Sequence, residues 1–116
     1  MRMRVDMAMD TTTRITNLLS MAQRAGRIVS GAFATEKAVK ERKARLLLIA
    51  TDASEETKQN YQILADRYAI PCQEALTRDV LGSCLGKEYR AVAALLDEGF
   101  AKKLCTLLSD GGIMKQ

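Results

Sequence analysis

No histidine occurs among the 116 residues. That removes Ser-His-Asp and Cys-His catalysis, every histidine-containing zinc site and histidine proton shuttling. Cysteine is scarce: Cys72, Cys84 and Cys105 lie 12 and 21 residues apart. An odd number without C-x-x-C spacing argues against a disulfide framework or a cysteine-only zinc site, and leaves small, reduced, buried thiols. Proline occurs once, at Pro71, and glycine seven times, which excludes collagen-like and linker-like chains. Long apolar runs are missing too. The longest, Leu46–Ala50 and Ala91–Leu96, fall far short of the ~20 residues of a membrane span. Arg2 and Arg4 are followed by Asp6 and Asp10 rather than by an apolar stretch, so no signal peptide and a cytoplasmic protein are expected.

What is present is ordinary globular material. Hydrophobic residues make up 47% and charged residues 28%, enough apolar surface for one packed domain without staples. The net charge of +4 is uneven: residues 1–45 hold ten Lys/Arg and four Asp/Glu, residues 46–116 eight and ten. A basic first half points to a polyanion, because clustered cations attract phosphates at long range.

Residues 1–12 show no periodic apolar face and are expected to form a disordered extension. From there Ile15, Leu18, Leu19, Ala22 and Ala25 share a helical face, with Thr13 as N-cap and Gly26 at the left-handed stop. Ile28-Val29 starts an edge strand. A helix follows over 32–43, then the unalternating Leu46–Ala50, which fits a strand buried on both faces. Ser54 caps a helix over 55–68, Ile70-Pro71-Cys72 opens another strand, and Thr77 caps a helix with Val80, Leu81, Cys84 and Leu85 inward. Ala91–Leu96 is a further buried strand. Asp97-Glu98 starts the last helix, and residues 109–116 form a loose tail. Strict alternation predicts one α/β domain over 13–108, an α/β/α sandwich on a largely parallel sheet.

No constellation for chemistry emerges. Gly26–Gly31 has P-loop glycine spacing but continues Ala32-Phe33 rather than Lys-Ser/Thr, and Gly82–Lys87 is one residue short. Asp52 stands at a strand exit without an evident partner base. The reading is therefore not an enzyme, with no metal and no cofactor. What remains is a basic face. Arg24 and Arg27 flank the first loop, and Phe33, Lys37 and Lys40 share one side of the second helix. Its N-terminus offers free backbone N–H groups to a phosphate, and the aromatic offers a stacking surface. RNA binding and a plain solvated face are both compatible with that pattern.

The run Asn17–Gly31 (NLLSMAQRAGRIVSG) resembles the opening of the kink-turn-binding ribosomal-protein superfamily, nearest its short bacterial YlxQ-like members. Leu46–Ser54 (LLLIATDAS), Ile70-Pro71, Leu81-Gly82 with Gly86-Lys87, and Leu96–Phe100 (LDEGF) continue the likeness in order over about residues 14–105. The resemblance implies a three-layer α/β/α sandwich with a four-stranded mixed sheet. It also implies binding of structured RNA through three segments: Gly31 to Lys37, the turn at Thr51-Asp52, and Lys87-Glu88-Tyr89-Arg90. Better-known members read Gly-Thr-Asn-Glu where this chain reads Gly31-Ala32-Phe33-Ala34. Phe33 cannot hydrogen-bond a guanine edge, and Ala34 is too short to.

The expectation is a non-catalytic, cytoplasmic, monomeric protein of the translation apparatus that binds structured RNA, kink-turn-like or ribosomal, with association to the ribosome or a translation factor and no membrane partner. The site would comprise Arg27, Gly31, Ala32, Phe33, Ala34, Lys37, Lys40, Thr51, Asp52, Lys87, Glu88, Tyr89 and Arg90. Gly31 and the helix start would receive phosphate, the cations would neutralise backbone, and Phe33 and Tyr89 would stack on bases. The alternative is a protein-interaction module that kept the fold and lost selective RNA recognition.

Overall fold

The computed structural model describes residues 2–112, with side chains described for 11–109. Five helices and four strands alternate: α1 (Arg2–Arg24), β1 (Ile28–Ser30), α2 (Ala32–Lys40), β2 (Leu46–Ile49), α3 (Glu55–Tyr68), β3 (Cys72–Glu74), α4 (Arg78–Cys84), β4 (Val92–Leu95) and α5 (Glu98–Gly112). Among the described residues no helix is long and apolar enough to cross a membrane.

The caps follow the chemistry expected of them. The Ser54 hydroxyl accepts from the Thr57 amide and Thr77 from that of Val80. At the end of α1, Gly26 adopts φ +69°, and Arg27 N–H donates to the Ala22 carbonyl at 2.8 Å. That is the hydrogen-bond return of a left-handed helix stop.

Three boundaries differ. α1 begins at Arg2 rather than at Thr13, so its bounds take in most of the segment expected to be an extension. No Gly or Pro interrupts residues 2–12, and the backbone has no local reason to leave the helix. α2 stops at Lys40, since Arg42 turns left-handed at φ 60°. Val80 is 38% exposed rather than inward. Of the expected loose tail, α5 runs through Gly112, and residues 113–116 lie outside the described residues.

The sheet order is β1-β4-β2-β3. It is mixed and four-stranded, but not largely parallel. Only β2 and β3 pair parallel, while β4 is antiparallel to both β1 and β2. Hydrophobic periodicity identifies strands without giving their direction. Between β3 and β4 the chain has only the seven-residue α4 and a loop, and it re-enters the middle of the sheet reversed.

The central strands divide the core. Every residue of β2 and β4 is buried. Leu46, Leu48, Ala93 and Leu95 pack towards α1, α4 and α5, with Leu19, Leu81 and Leu104. Leu47, Ile49, Val92 and Ala94 pack towards α2 and α3, with Val39, Tyr61 and Ala65. This makes three layers, with one core on each side of the sheet. Each fully buried leucine contributes roughly 2–3 kcal/mol of transfer free energy. Tyr61 also ties α3 to α2, its hydroxyl donating to the Glu36 carboxylate at 2.8 Å. Burial first and that carboxylate second push the phenol above its ordinary pKa.

Candidate nucleic-acid interface

The reversal of β4 decides what can meet. β1, β2 and β3 end at one edge of the sheet, and β4 starts there. The loop before β4 therefore joins the loops after β1 and β2. Gly31 N–H donates to the Val92 carbonyl at 3.0 Å, Ala50 N–H to Ala91 at 2.8 Å, and Arg90 N–H to Arg78 at 3.1 Å. Gly31 and the residue before the Thr51-Asp52 turn are thus bonded to the two residues that follow the Lys87–Arg90 loop, which brings the three expected segments to one edge. In a parallel arrangement the 87–90 loop would open at the opposite edge.

Gly31 holds φ +90°, a conformation that disfavours any side chain. Its own N–H is committed to Val92, so the free amides at the start of α2 are those of Ala32, Phe33 and Ala34. The Arg90 side chain lies against Gly31, and its Nε–H donates to the Ser30 hydroxyl at 3.0 Å. Phe33 projects 82% exposed from the first turn of α2, and Tyr89 is 56% exposed. Two aromatics on one edge are costly in water and suit a partner with π faces.

Asp52 and Arg78 fasten the remaining side. The Arg78 amide donates to Asp52 Oδ1 at 2.8 Å, and the Arg78 Nε stands 3.6 Å from that oxygen. The same guanidinium lies over the Tyr89 ring at 5.7 Å. The Thr51 amide and hydroxyl both donate to the Leu76 carbonyl, at 2.8 and 3.2 Å. Gly82 supplies the close approach. A Cβ there would fall 2.7 Å from the Tyr89 nitrogen and 2.8 Å from its carbonyl carbon. Only glycine lets the 87–90 backbone rest on α4.

Not every expected residue gathers here. Lys87 and Glu88 are exposed on the loop. Phe33, Lys37 and Lys40 do share the exposed side of α2, but both lysines stand in its last turn, away from Gly31. Lys37 is paired with Glu41 at 3.3 Å. Glu41 also takes Lys43, and these two cations hold its carboxyl below the usual range. Arg27 belongs to the opposite edge, where its carbonyl accepts from Leu96 N–H at 2.8 Å.

Sequence reasoning missed Arg78 and Gly82. Arg78 had a signal: a cation at the first helical position opposes the helix dipole and needs a local acid, here Asp52. Gly82 stands in the Leu81-Gly82 pair that carries the resemblance, but no local pattern shows why it must be small, because its constraint comes from a segment seven residues on. Neither P-loop-like run forms a phosphate loop, since β1 occupies the first and α4 the second. Among the described residues no cluster of three metal-ligating side chains exists. The thiols are half-buried, and burial pushes Cys72 up to about 11, aided by Glu74 and Asp66.

Known proteins are similar to this chain in sequence and in fold. Residues 13–105 match the ribosomal protein L7Ae/L30e/S12e/Gadd45 family. The RNA-binding protein YlxQ of Bacillus subtilis (strain 168) is 40% identical over 91 residues, 78% of this chain and 91% of that protein. The RNA-binding protein YlxQ of Enterococcus faecium is 35% identical over 92 residues, 79% and 88%. Among solved structures, a protein of unknown function from Bacillus halodurans C superposes with a TM-score of 0.78 at 32% identity, over 82% of this chain and 96% of that one. A 15.5kD RNA binding protein of Giardia lamblia shares the fold, with a TM-score of 0.71 at 18% identity over 90% of each chain.

Proposed function

The chain belongs to the ribosomal protein L7Ae/L30e/S12e/Gadd45 family, and from that membership we propose that it is a non-catalytic protein that binds structured RNA, kink-turn-like or ribosomal, in the translation apparatus. The observation that carries this reading is the meeting of the α2 start, the Thr51-Asp52 turn and the 87–90 loop at one sheet edge, with Phe33 and Tyr89 exposed on it. The RNA-binding names of its relatives support the same class.

Recognition proceeds by stacking and shape. Phe33 and Tyr89 take unpaired bases on their faces, each contact contributing ~1–3 kcal/mol. The Ala32, Phe33 and Ala34 amides and Arg90 receive phosphate. Phe33 and Ala34 carry no groups for guanine edges, so sheared G·A pairs are not read by hydrogen bonds.

Crosslinking in cells, with sequencing of the attached RNA and mapping of the crosslinked peptides, tests this. Enrichment of one structured RNA with crosslinks on 31–40 and 87–90 is expected. Recovery no better than that of an unrelated protein of equal charge would refute it. Phe33 at 82% exposure also suits an apolar contact with a protein. A salt series separates the two readings, since RNA affinity falls steeply with salt and apolar contact does not.

A further inference from the structure

The positive charge of this chain does not sit where the loops gather. Consider each connection from its helix end to the adjoining strand. At the gathered edge, Arg78, Lys87 and Arg90 face Asp52, Glu55 and Glu88, a net charge of zero. At the opposite edge stand Arg24, Arg27, Lys40, Arg42, Lys43 and Arg45. Against them are three acids, Glu41, Asp97 and Glu98, a net of +3. Glu41 is already taken by Lys37 and Lys43. Among the described residues no carboxylate pairs with Arg27, Lys40, Arg42 or Arg45.

Arg42 is held there against backbone preference. α1 and α2 end in the same hydrogen-bond return: Arg27 N–H to Ala22 at the first, Lys43 N–H to Ala38 at 2.9 Å at the second. The left-handed residue is Gly26 in α1 but Arg42, φ 60°, in α2. A side chain at that position is disfavoured where glycine is not. The arginine gains no ion pair in return. Its guanidinium lies over the Tyr68 ring at 5.1 Å. With Arg45, Ile70, Pro71 and Glu98 the pair lines a recess of about 400 Å³.

A path connects the two edges. Phe33, Lys37 and Lys40 run along the exposed side of α2 from the gathered edge to Arg42. Seven helical residues span roughly 10 Å, a distance of one to two nucleotides. We propose that the RNA backbone leaves the stacking edge along α2 and is held at the far edge by Arg42 and Arg45. This rests on the RNA-binding reading and adds further phosphate contacts on a surface outside the three loops.

The test uses the full chain and two labelled RNA probes, a stem interrupted by a kink-turn and an unbroken duplex of equal length. Fluorescence anisotropy is followed from 50 to 300 mM KCl, and Tm is measured for each variant. Arg42→Gly relieves the left-handed strain and gives up the smaller Tyr68 contact, so it raises Tm by about 2 °C. The same variant weakens RNA binding about fivefold at 100 mM salt and lowers the salt slope by about 0.7–0.9. Arg45→Ala lowers the slope equally with Tm unchanged, and Lys103→Ala, a cation on α5, changes neither. Gain of stability with loss of binding is an outcome that a purely structural Arg42 would not give. RNA binding by the parent chain with Arg42→Gly and Arg45→Ala unaltered would overturn this proposal alone. Equal losses from Lys103→Ala would overturn it as well, since binding would then follow net charge. A parent chain that binds neither probe at 50 mM salt would overturn the RNA reading together with it.

Discussion

Gly82→Ala sets two effects of opposite sign against each other, and the structure decides between them. Gly82 is buried inside α4, where alanine is the better helix former by about 1 kcal/mol. The added methyl would stand 2.7 Å from the Tyr89 nitrogen and 2.8 Å from its carbonyl carbon, with the Tyr89 Cα also in its way. Ordinary contact begins near 3.4 Å and the Tyr89 Cα is the nearest atom, so the 87–90 backbone must retreat by about 1 Å or α4 must tilt. Overpacking costs about 1–3 kcal/mol when side chains can yield, and the upper end applies where the obstacle is backbone. The net is a destabilisation of about 2 kcal/mol, a drop in Tm of about 8 °C. The retreat also breaks the Arg90 N–H bond to Arg78 and draws Tyr89 from its place beside Arg78, so RNA affinity falls. Urea denaturation and anisotropy on the same samples measure both. Gly86 is the control. It is left-handed at φ +74° with no atom near its Cβ direction, so Gly86→Ala costs about 1 kcal/mol and Gly86→Asn less. Asparagine at Gly82 would restore nothing. A Gly82→Ala protein as stable as its parent, or more so, would refute the close approach.

Phe33→Ala should leave stability within about 0.5 kcal/mol, because the ring is 82% exposed, yet weaken RNA binding by ~1–3 kcal/mol in anisotropy titrations. Ser54→Ala removes the acceptor of the Thr57 amide at the α3 start and should cost about 1 kcal/mol by urea denaturation. Cys72 should alkylate slowly at pH 8 in the folded chain and readily in urea, because burial favours its protonated form. The sign follows from linkage. Between about 9 and about 11 the unfolded chain loses this proton while the fold keeps it, so stability falls as pH rises through that window. Cys72→Ser should flatten that alkaline slope in pH-resolved denaturation.

The sequence by itself determined the order of helices and strands, most of the core and the caps at Ser54 and Thr77, but not the cap expected at Thr13, which lies inside α1, nor the exposure of Val80. Ser54 and Thr77 cap, Gly26 turns left-handed, and Leu46–Ile49 is buried on both faces, because each depends on a local preference or on apolar residues that have nowhere else to go. The resemblance carried by Asn17–Gly31 and LLLIATDAS supplied the mixed sheet and the three loops. Tertiary structure decided direction and distance. The reversal of β4 brings the loop before it to the ends of β1 and β2, and nothing in a run of apolar residues encodes that. The same geometry sends Arg27 to the far edge and places Lys37 and Lys40 in the last turn of α2. Gly82 and Arg78 became legible only through partners remote in the chain, Tyr89 and Asp52. Charge shows the division most clearly. The cations of residues 40–45 stand in the chain as one block, but which edge of the sheet they occupy depends on the direction of β2, which they precede, and that only the strand pairing decides.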